Sequence, residues 1–472
     1  MVFKKKLHTF RPDGPEAKVD THRTKGRSRS EPSDPKSLER NIRQLLADKV
    51  SGNLVGLWLL IPEHLRLGTW DLLCGWTKQP GTHVEPRLAL QLVHEAALCV
   101  KGLRQKRCLS QKGFELANGL PFVASDTAIH QLLNAHTILD AQQLQITLGK
   151  LRYATGHFAA HILAIDPHRM RSYSKRQMRY RRDKNEDKAV KTAQTFFCLD
   201  ADTHQPLCFT TASPARSVSE ATAELLKIAS QILPPLPYHP LLLADTEHFS
   251  TNLFDHVAKT PFDLLVPMPN QPDYRKKIRQ IPPHMFIAQW AGLATANLPF
   301  RFSHNQSPPI YQLVQRCGEN PSQYNFKGFL CSAHRDELQL LIGDYPKRWH
   351  VEEFFNAHQD LGWNRAGTLN LNIRYGQMTM ALIAQAVLHP LRRRLGKPFS
   401  DWDANHLARS LLHGLDGDIR IARDTILLTY YNAPFTEKLR AHFEHLPQKL
   451  LRDNIDPRIP WLYNFKLDFR FK

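Results

Sequence analysis

The chain has 472 residues, with 63 lysines and arginines against 44 aspartates and glutamates, a formal net charge of +19 and a pI near 9.7. This length allows roughly two to four domains. The charge favours a polyanionic partner, most often nucleic acid, because binding to phosphates releases counterions. A soluble protein that is basic for other reasons is the alternative. The longest apolar run, residues 54–62, is too short to span a bilayer.

Cysteine and histidine usage argues against a zinc module and for a reducing compartment. The 7 cysteines form no Cys-x2-Cys pair, and the 24 histidines include no His-Glu-x2-His motif. Cys331 and His334 lack a partner pair at zinc-finger spacing. An odd cysteine number in a chain of this length is typical of the cytosol, and Met1–Lys6 opens no apolar stretch of signal-peptide length. We therefore expect a cytoplasmic protein.

The first 150 residues are predicted to form a disordered arm followed by a helical region. Residues 1–37 are polar, basic and rich in proline and serine, a composition typical of disorder. Residues 38–150 have helical apolar spacing, with Ser125 as an N-cap. Neighbouring cations allow a DNA-binding helix-turn-helix, and a plain helical bundle is the alternative. The predicted helices are 37–46, 86–103, 110–117 and 125–135, and the cations are Arg104, Lys106, Arg107 and Lys112.

Two aspartates each end a short apolar run. Asp166 ends the run that begins at His161, and Asp245 ends the run that begins at Pro240. Such leucine- and isoleucine-rich runs are typical of buried strands, and sites in open α/β sheets collect at the carboxyl ends of strands. A solitary aspartate at such a place is more commonly a turn former or a helix cap. Two of them predict a pair of carboxylates at one edge of a sheet.

A basic run, Arg169 to Lys191, follows the first of these strands. It contains ten lysines and arginines and three acidic residues. We expect this run to contact DNA phosphates, and a solvated loop is the alternative. The candidate phosphate contacts are Lys175, Arg176, Arg179, Arg181 and Arg182.

The order of elements predicts an α/β fold with a ribonuclease H-like core. Three strands, a helix, a strand, a helix and a strand follow one another between residues 157 and 269. In that fold the first carboxylate lies on the first strand and the second lies just beyond the fourth. Asp166 and Asp245 fall at those places. The predicted boundaries are a core at 157–269 and 344–365, a β-rich insertion at 270–343 with a strand near 337–342, and a helical and β C-terminal region at 366–472.

The stretch 345–355 is predicted to be a helix. Arg348 and Glu352 are four residues apart and so share one face, and Trp349, Phe354 and Phe355 are predicted to share an apolar side. Glu353 is a rival to Glu352, but it lies about 100° further round the helix, so only one of the two faces inward. An ordinary amphipathic helix with an ion pair is the alternative.

At these residues the chain resembles the DDE transposases of bacterial insertion sequences. The resemblance is to the branch with a β insertion before the glutamate helix and a Tyr-x2-Arg-x3-Glu-x6-Lys signature. Tyr345, Arg348 and Glu352 match its first three positions, whereas Gln359 stands where that branch has lysine. Thr246 after Asp245 is a second departure. The resemblance covers about residues 157 to 365.

The resemblance implies a metal-dependent enzyme that cleaves DNA at transposon ends and transfers the 3′-OH strand into target DNA. Asp166, Asp245 and Glu352 would be its catalytic residues and the ligands of two Mg²⁺ ions, with Mn²⁺ as a substitute. Tyr345 and Arg348 would contact phosphates. The partners would be double-stranded DNA carrying terminal inverted repeats and target sites, bound by a homodimer in the bacterial nucleoid. In related enzymes an aromatic residue of the insertion stacks on an unpaired base near the transposon end. The resemblance assigns this role to Trp290, for which a position in the core is the alternative.

Two other functions remain open from the sequence. One is a catalytically inactive, transposase-derived DNA-binding protein. Gln359 and Thr246, which depart from the transposase signature, are the reason to retain this alternative. The other is a ribonuclease H-like nuclease, which the large insertion and the flanking regions disfavour.

Overall fold

The computed structural model describes residues 34–52, 54–100, 109–171, 180–182, 189–212, 216–302, 309–363 and 370–472. The predicted arm is therefore described only from Asp34 onward. Six of the cations named above lie outside the described residues: Arg104, Lys106, Arg107, Lys175, Arg176 and Arg179.

The described strands are β1 Val50–Gly52, β2 Ile162–Arg171, β3 Tyr180–Arg182, β4 Ala189–Asp200, β5 Gln205–Ala212, β6 Leu241–Leu243, β7 Asp263–Pro267, β8 Ile287–Trp290, β9 Leu293–Phe300, β10 Ile310–Cys317, β11 Asn325–Cys331, β12 Gly417–Ala422, β13 Thr425–Tyr430, β14 Arg458–Ile459 and β15 Phe465–Phe471. The described α-helices are α1 Pro35–Ala47, α2 Ile61–Leu67, α3 Thr69–Thr77, α4 Glu85–Ala97, α5 Lys112–Ala117, α6 Asp126–Ala135, α7 Ile138–Ala154, α8 Val218–Ile232, α9 Thr251–Val257, α10 Pro272–Arg279, α11 His350–His358, α12 Leu371–Leu395, α13 Ala404–Leu407, α14 Thr436–Phe443 and α15 Leu446–Arg452.

The larger of the two described sheets has ten strands, and its central part has the order β5-β4-β2-β6-β7. β2, β4 and β5 are antiparallel neighbours, whereas β6 lies parallel to both β2 and β7. The apolar runs Leu241–Leu243 and Leu264–Val266 are fully buried, as expected of parallel strands that are covered on both faces. This α/β architecture has the strand order of the ribonuclease H-like fold, as predicted.

The first strand of this core is longer than predicted. β2 does not end at Asp166; it continues to Arg171, where it still pairs with Thr192 of β4. Arg181 and Arg182 lie on β3 and pair with the first residues of β4. The described part of the basic run is therefore strand and not loop. The reason is that the long β4 offers ladder hydrogen bonds beyond the point where the apolar run stops.

The insertion is β-rich, as predicted, and it extends the central sheet. β8 to β11 form a meander whose last strand pairs antiparallel with β7. The predicted strand near 337–342 is wrong, because Gln339–Asp344 forms a π-helical turn. Asp336 caps this turn by accepting a hydrogen bond from the Gln339 amide at 2.6 Å, and the adjacent Leu340 and Leu341 are both buried.

Helices from the first 154 residues pack around the long helix α12, which contacts α4, α6 and α7. Helices α12 and α6 lie so close together that a Cβ on Gly376 would be 2.6 Å from the Leu133 side chain. α5 is buried from Gly113 to Ala117, so it presents no face to a DNA groove. This favours the bundle alternative, whereas a DNA-binding role for this part of the chain stays a prediction.

The C-terminal region adds a small sheet of order β1-β12-β13-β15-β14. Its β12–β13 hairpin was predicted, and the aromatic tail docks as β15 parallel to β13. β1 joins this sheet through β12. Across the described ranges, the helices are all too short or too polar to cross a membrane.

Candidate active site

Asp166 lies on β2, and Asp245 follows the neighbouring parallel strand β6 by two residues. The parallel register pairs Ile162 with Leu241 and Ala164 with Leu243, an offset of 241 − 162 = 79 residues. Asp166 and Asp245 have the same offset, 245 − 166 = 79, two positions beyond the last pair. The two carboxylates are therefore brought together where the parallel pairing ends, at the carboxyl end of β6.

Asp245 is held by the turn that follows it. Its carboxylate caps a short 3-10 turn, Thr246–His248, and accepts hydrogen bonds from the Glu247 amide at 3.0 Å and from His248 Nδ1 at 2.7 Å. Burial alone would raise the pKa of Asp245, but the hydrogen bond and charge of His248 and the Glu247 amide outweigh it, so the pKa is lowered. Asp245 is therefore an oriented carboxylate that favours its charged form.

The surroundings of Asp166 shift its pKa in the opposite direction, upward. Burial, followed by the charges of Asp245 and Glu352, raises its pKa to about 7, although Arg348 and Arg169 oppose the shift. The ionised form of Asp166 thus lies in a place where two other carboxylates repel it. A bound cation at this place would relieve that repulsion.

Glu352 reaches the same place from a helix that packs on β2. Tyr345–Trp349 forms a 3-10 turn, and α11 begins only at His350, so the predicted helix starts five residues later than expected. Phe355 stacks on His168 of β2, with ring centroids 4.2 Å apart, and meets Phe197 of β4 edge-on at 5.0 Å. These aromatic contacts fix the helix over the strand that carries Asp166.

The predicted apolar side of this helix is only partly right. Phe354 and Phe355 are buried, but Trp349 is 56% exposed. Trp349 lies in the 3-10 turn, whose tighter winding rotates it off the face that the two phenylalanines share. Its ring instead covers the Arg348 guanidinium at 5.6 Å.

Arg348 lies among the acidic groups. It is nearly buried, with 14% of its side chain exposed, and it donates to Glu352 over 3.4 Å. Its charge acts on both aspartates and on Tyr345. Burial raises the pKa of the Tyr345 hydroxyl, and the hydrogen bond and charge of Arg348 oppose that shift. The structure thus brings together all five residues that were predicted from the carboxylate pattern and the signature.

The ligand oxygens of Asp166, Asp245 and Glu352 do not all lie within 4.8 Å of one another. Among the described residues, the one set of three ligating side chains with all donor atoms within 4.8 Å is His204, His350 and Glu353, not this triad. A wider spacing suits a pair of ions about 3.5–4 Å apart.

A cleft of about 710 Å³ opens beside Tyr345, between the central sheet and the insertion. Its wall includes Thr246 and three cations: Arg275 and Arg279 of α10, and Lys327 of β11. The cations make this cleft a suitable path for a phosphate backbone that leads to the carboxylates.

Three other predicted residues are placed as follows. Trp290 ends β8 and is 53% exposed, so the core alternative for it is wrong. Gln359 is exposed at the carboxyl end of α11, two turns beyond Glu352. His358 beside it is buried next to Arg392, and burial, reinforced by that arginine, lowers its pKa to about 3.

Sequence reasoning missed two supporting pairs. His248 orients Asp245, and the spacing Asp245-x2-His248 was the available signal, because residues three apart meet in a helical turn. Arg169 binds both carboxylate oxygens of Glu247, which ties β2 to the turn after β6. No local spacing indicated that contact, since the two residues are joined only by the strand register.

Comparison with known protein families gives a match over the central part of the chain. The family model described as "Transposase DDE domain" matches residues 157–386. A solved structure with some similarity is the cryo-EM structure of a piggyBac transposase synaptic complex with hairpin DNA, with 11% identity, 78% of this chain and 82% of that chain covered, and a TM-score of 0.40. No curated protein matches the sequence. The family match runs from just before β2 into α12 and contains the whole ribonuclease H-like unit, so residues 157–386 form a DDE transposase domain.

Proposed function

We propose that this transposase uses Asp166, Asp245 and Glu352 to cleave DNA at transposon ends and to transfer the freed 3′-OH strand into target DNA. The observation that carries the proposal is the register between β2 and β6. It sets the two aspartates opposite each other, under the helix that presents Glu352.

DDE transposases use divalent metal ions, and we propose two Mg²⁺ ions here, with Mn²⁺ as a substitute. The donor set fits hard cations, because it consists of carboxylate oxygens and one of them, on Asp166, has a pKa raised by burial and by its two acidic neighbours. Bound ions would activate the attacking oxygen and stabilise the leaving oxygen of an in-line displacement.

The residues around the triad have distinct tasks in this proposal. His248 keeps Asp245 ionised and aimed, and Arg348 restrains Glu352 through its hydrogen bond. Once the carboxylates are neutralised, Arg348 and Tyr345 are free to contact the phosphate beside the scissile bond. The solvent-excluding contacts of Phe355 with β2 keep the Glu352 helix from moving away during turnover.

The DNA path in this proposal follows the positive charge. The cations of the cleft beside Tyr345 would guide the transposon end, and Trp290 would stack on an unpaired base there. The basic run would hold flanking phosphates through Lys175, Arg176, Arg179, Arg181 and Arg182. Following the family resemblance, we further propose that a homodimer holds the two terminal inverted repeats and acts on nucleoid DNA.

The test is cleavage of a duplex that contains the gene's native flanking DNA. Asp166→Asn, Asp245→Asn and Glu352→Gln are expected to abolish Mg²⁺-dependent cleavage while gel-shift binding stays within about twofold, because a neutral isostere keeps the shape but not the ligand charge. Glu437→Gln, an exposed change on α14, is the matched control and should cleave normally. Loss of binding in all three variants, or cleavage by any of them at the normal rate, contradicts the proposal.

A further inference from the structure

A second group of ligating side chains lies on the same helix as Glu352 but on another face. His204 stands in the turn between β4 and β5, and His350 and Glu353 stand on the first turn of α11. One donor atom from each of the three lies within 4.8 Å of the others. The two imidazole rings are 4.0 Å apart at an interplanar angle of 31°.

The tautomer of His350 is set by its neighbour. His350 Nδ1 lies 2.7 Å from the Ala201 carbonyl oxygen. A carbonyl only accepts, so Nδ1 carries the proton and Nε2 keeps its lone pair. This is the arrangement found in metal-binding histidines, in which one ring nitrogen donates to a carbonyl and the other ligates.

The turn that carries His204 is held rigidly without any ion. The buried carboxylate of Asp200 accepts hydrogen bonds from the amides of Asp202 and Thr203, at 3.1 and 2.8 Å, and from the Thr203 hydroxyl at 3.0 Å. Lys347, just before α11, pairs with Asp202 at 2.7 Å. Lys347 with Asp202 and His350 with Ala201 thus already join the turn to the helix.

Glu353 is placed to complete the group. It is three residues from His350 and therefore on the same helical face, about 100° away from the face of Glu352. Among the described residues it has no lysine or arginine partner. The exposed Glu353 carboxylate and the two imidazoles therefore form a set of ligand atoms that suits a metal cation.

We propose that His204, His350 and Glu353 bind one divalent transition metal ion, with Zn²⁺ as the best fit, at a site separate from the catalytic carboxylates. Two imidazoles and one carboxylate are a ligand set that Zn²⁺ takes, whereas Mg²⁺ prefers oxygen alone. With bonds of about 2.0–2.2 Å, ligand atoms around a tetrahedral ion lie roughly 3.3–3.6 Å apart. Side-chain rotation of His204 and Glu353, both exposed, closes the remaining distance.

The ion would fasten the β4–β5 turn to the helix that presents Glu352. Its role is to position that helix and not to take part in strand cleavage. The proposal is independent of the chemistry assigned to Glu352, since it concerns binding at a different face.

Zinc binding by the full-length protein tests this inference. Isothermal titration with Zn²⁺ is carried out without DNA and with millimolar Mg²⁺ present to occupy carboxylate sites. One tight site is expected, weakened about tenfold or more in His204→Ala and in Glu353→Gln. Asp166→Asn and His284→Ala, an exposed histidine in the insertion, are expected to bind as the wild type does. Circular dichroism verifies that each variant is folded.

Cobalt substitution provides a second readout. Co²⁺ in the wild type is expected to give a visible d–d absorption that is lost in His204→Ala and kept in Asp166→Asn. Zn²⁺ is also expected to raise the Tm of the wild type but not of Glu353→Gln, because a ligand stabilises only the state that binds it. Absence of a tight site in the wild type, or a site that survives both ligand variants or is lost only in Asp166→Asn, overturns the proposal.

Discussion

Asp166 on β2 and Asp245, two residues beyond the end of β6, hold equivalent positions in neighbouring parallel segments, yet the pKa values of their carboxyls shift in opposite directions. The difference arises because the two carboxyls have different neighbours. Asp245 accepts a hydrogen bond from His248, whereas Asp166 is buried between two other acidic groups. The protein therefore favours the charged form of Asp245 and disfavours the charged form of Asp166.

This asymmetry predicts that Asp166→Asn stabilises the metal-free protein, and more at high pH. The folded pKa of Asp166, about 7, exceeds its ordinary value of 3.8, so its contribution to stability is full below pH 3.8 and is lost as pH rises through 7. The full penalty is on the order of 4 kcal/mol, and we expect a gain of roughly 1–4 kcal/mol at pH 8 and less at pH 5. Urea unfolding with a chelator at both pH values measures it.

The matched control is Asp245→Asn, which is expected to lower the free energy of unfolding, because it removes a carboxylate that the fold favours in its charged form. If Asp166→Asn is no more stable than the wild type at pH 8, or gains the same amount at both pH values, the environment assigned to Asp166 is wrong.

Mg²⁺ is expected to stabilise the wild type through the same triad. Binding to the folded state raises Tm as the ion concentration increases, and the rise should be lost in Asp166→Asn and in Glu352→Gln. Differential scanning fluorimetry over a Mg²⁺ series measures it, with Glu437→Gln as the unaffected control. A rise of equal size in all four proteins would show that the ion binds elsewhere.

His248 is expected to act as a positioning residue. His248→Gln removes the ionisable partner of Asp245, so the pKa of Asp245 should rise and the acidic limb of the pH–cleavage profile should move to higher pH. The cleavage rate near neutral pH should fall about 10- to 100-fold. An unchanged profile with a uniformly lower rate would indicate a packing role alone.

Gln359→Lys is expected to strengthen binding to transposon ends. The exposed Gln359 stands two turns beyond Glu352, and an added cation there gains one phosphate contact. The slope of log affinity against log salt should become steeper by about one unit. Gln448→Lys, an exposed change on α15, is the control of equal charge, and an equal effect there would mean that only net charge matters.

Substitution of Trp290 distinguishes a role in DNA binding from a role in stability. Because it is 53% exposed, Trp290→Ala is expected to weaken end binding by about 1–3 kcal/mol while leaving Tm nearly unchanged. Trp363 is fully buried, so Trp363→Ala should cost about 3–5 kcal/mol of stability. Normal end binding by Trp290→Ala would remove it from the DNA interface.

The parts of the site that sequence predicted are those with local signals. The apolar runs before Asp166 and Asp245 and the four-residue spacing of Arg348 and Glu352 are properties of neighbouring residues, so the core order and the triad followed from them. The extension of β2 to Arg171 depends on pairing with a strand more than twenty residues later, which no local pattern encodes. The exposure of Trp349 depends on a 3-10 turn that apolar periodicity does not distinguish from an α-helix.

The most direct test of the central claim is excision in cells. A plasmid carrying the gene with its native flanking DNA is compared with the same plasmid carrying Asp245→Asn. We predict precise loss of the element with the wild type and none with the variant, since the variant keeps the fold but lacks one ligand. Excision by both, or by neither while binding to the flanks persists, would contradict a transposase that works through these carboxylates.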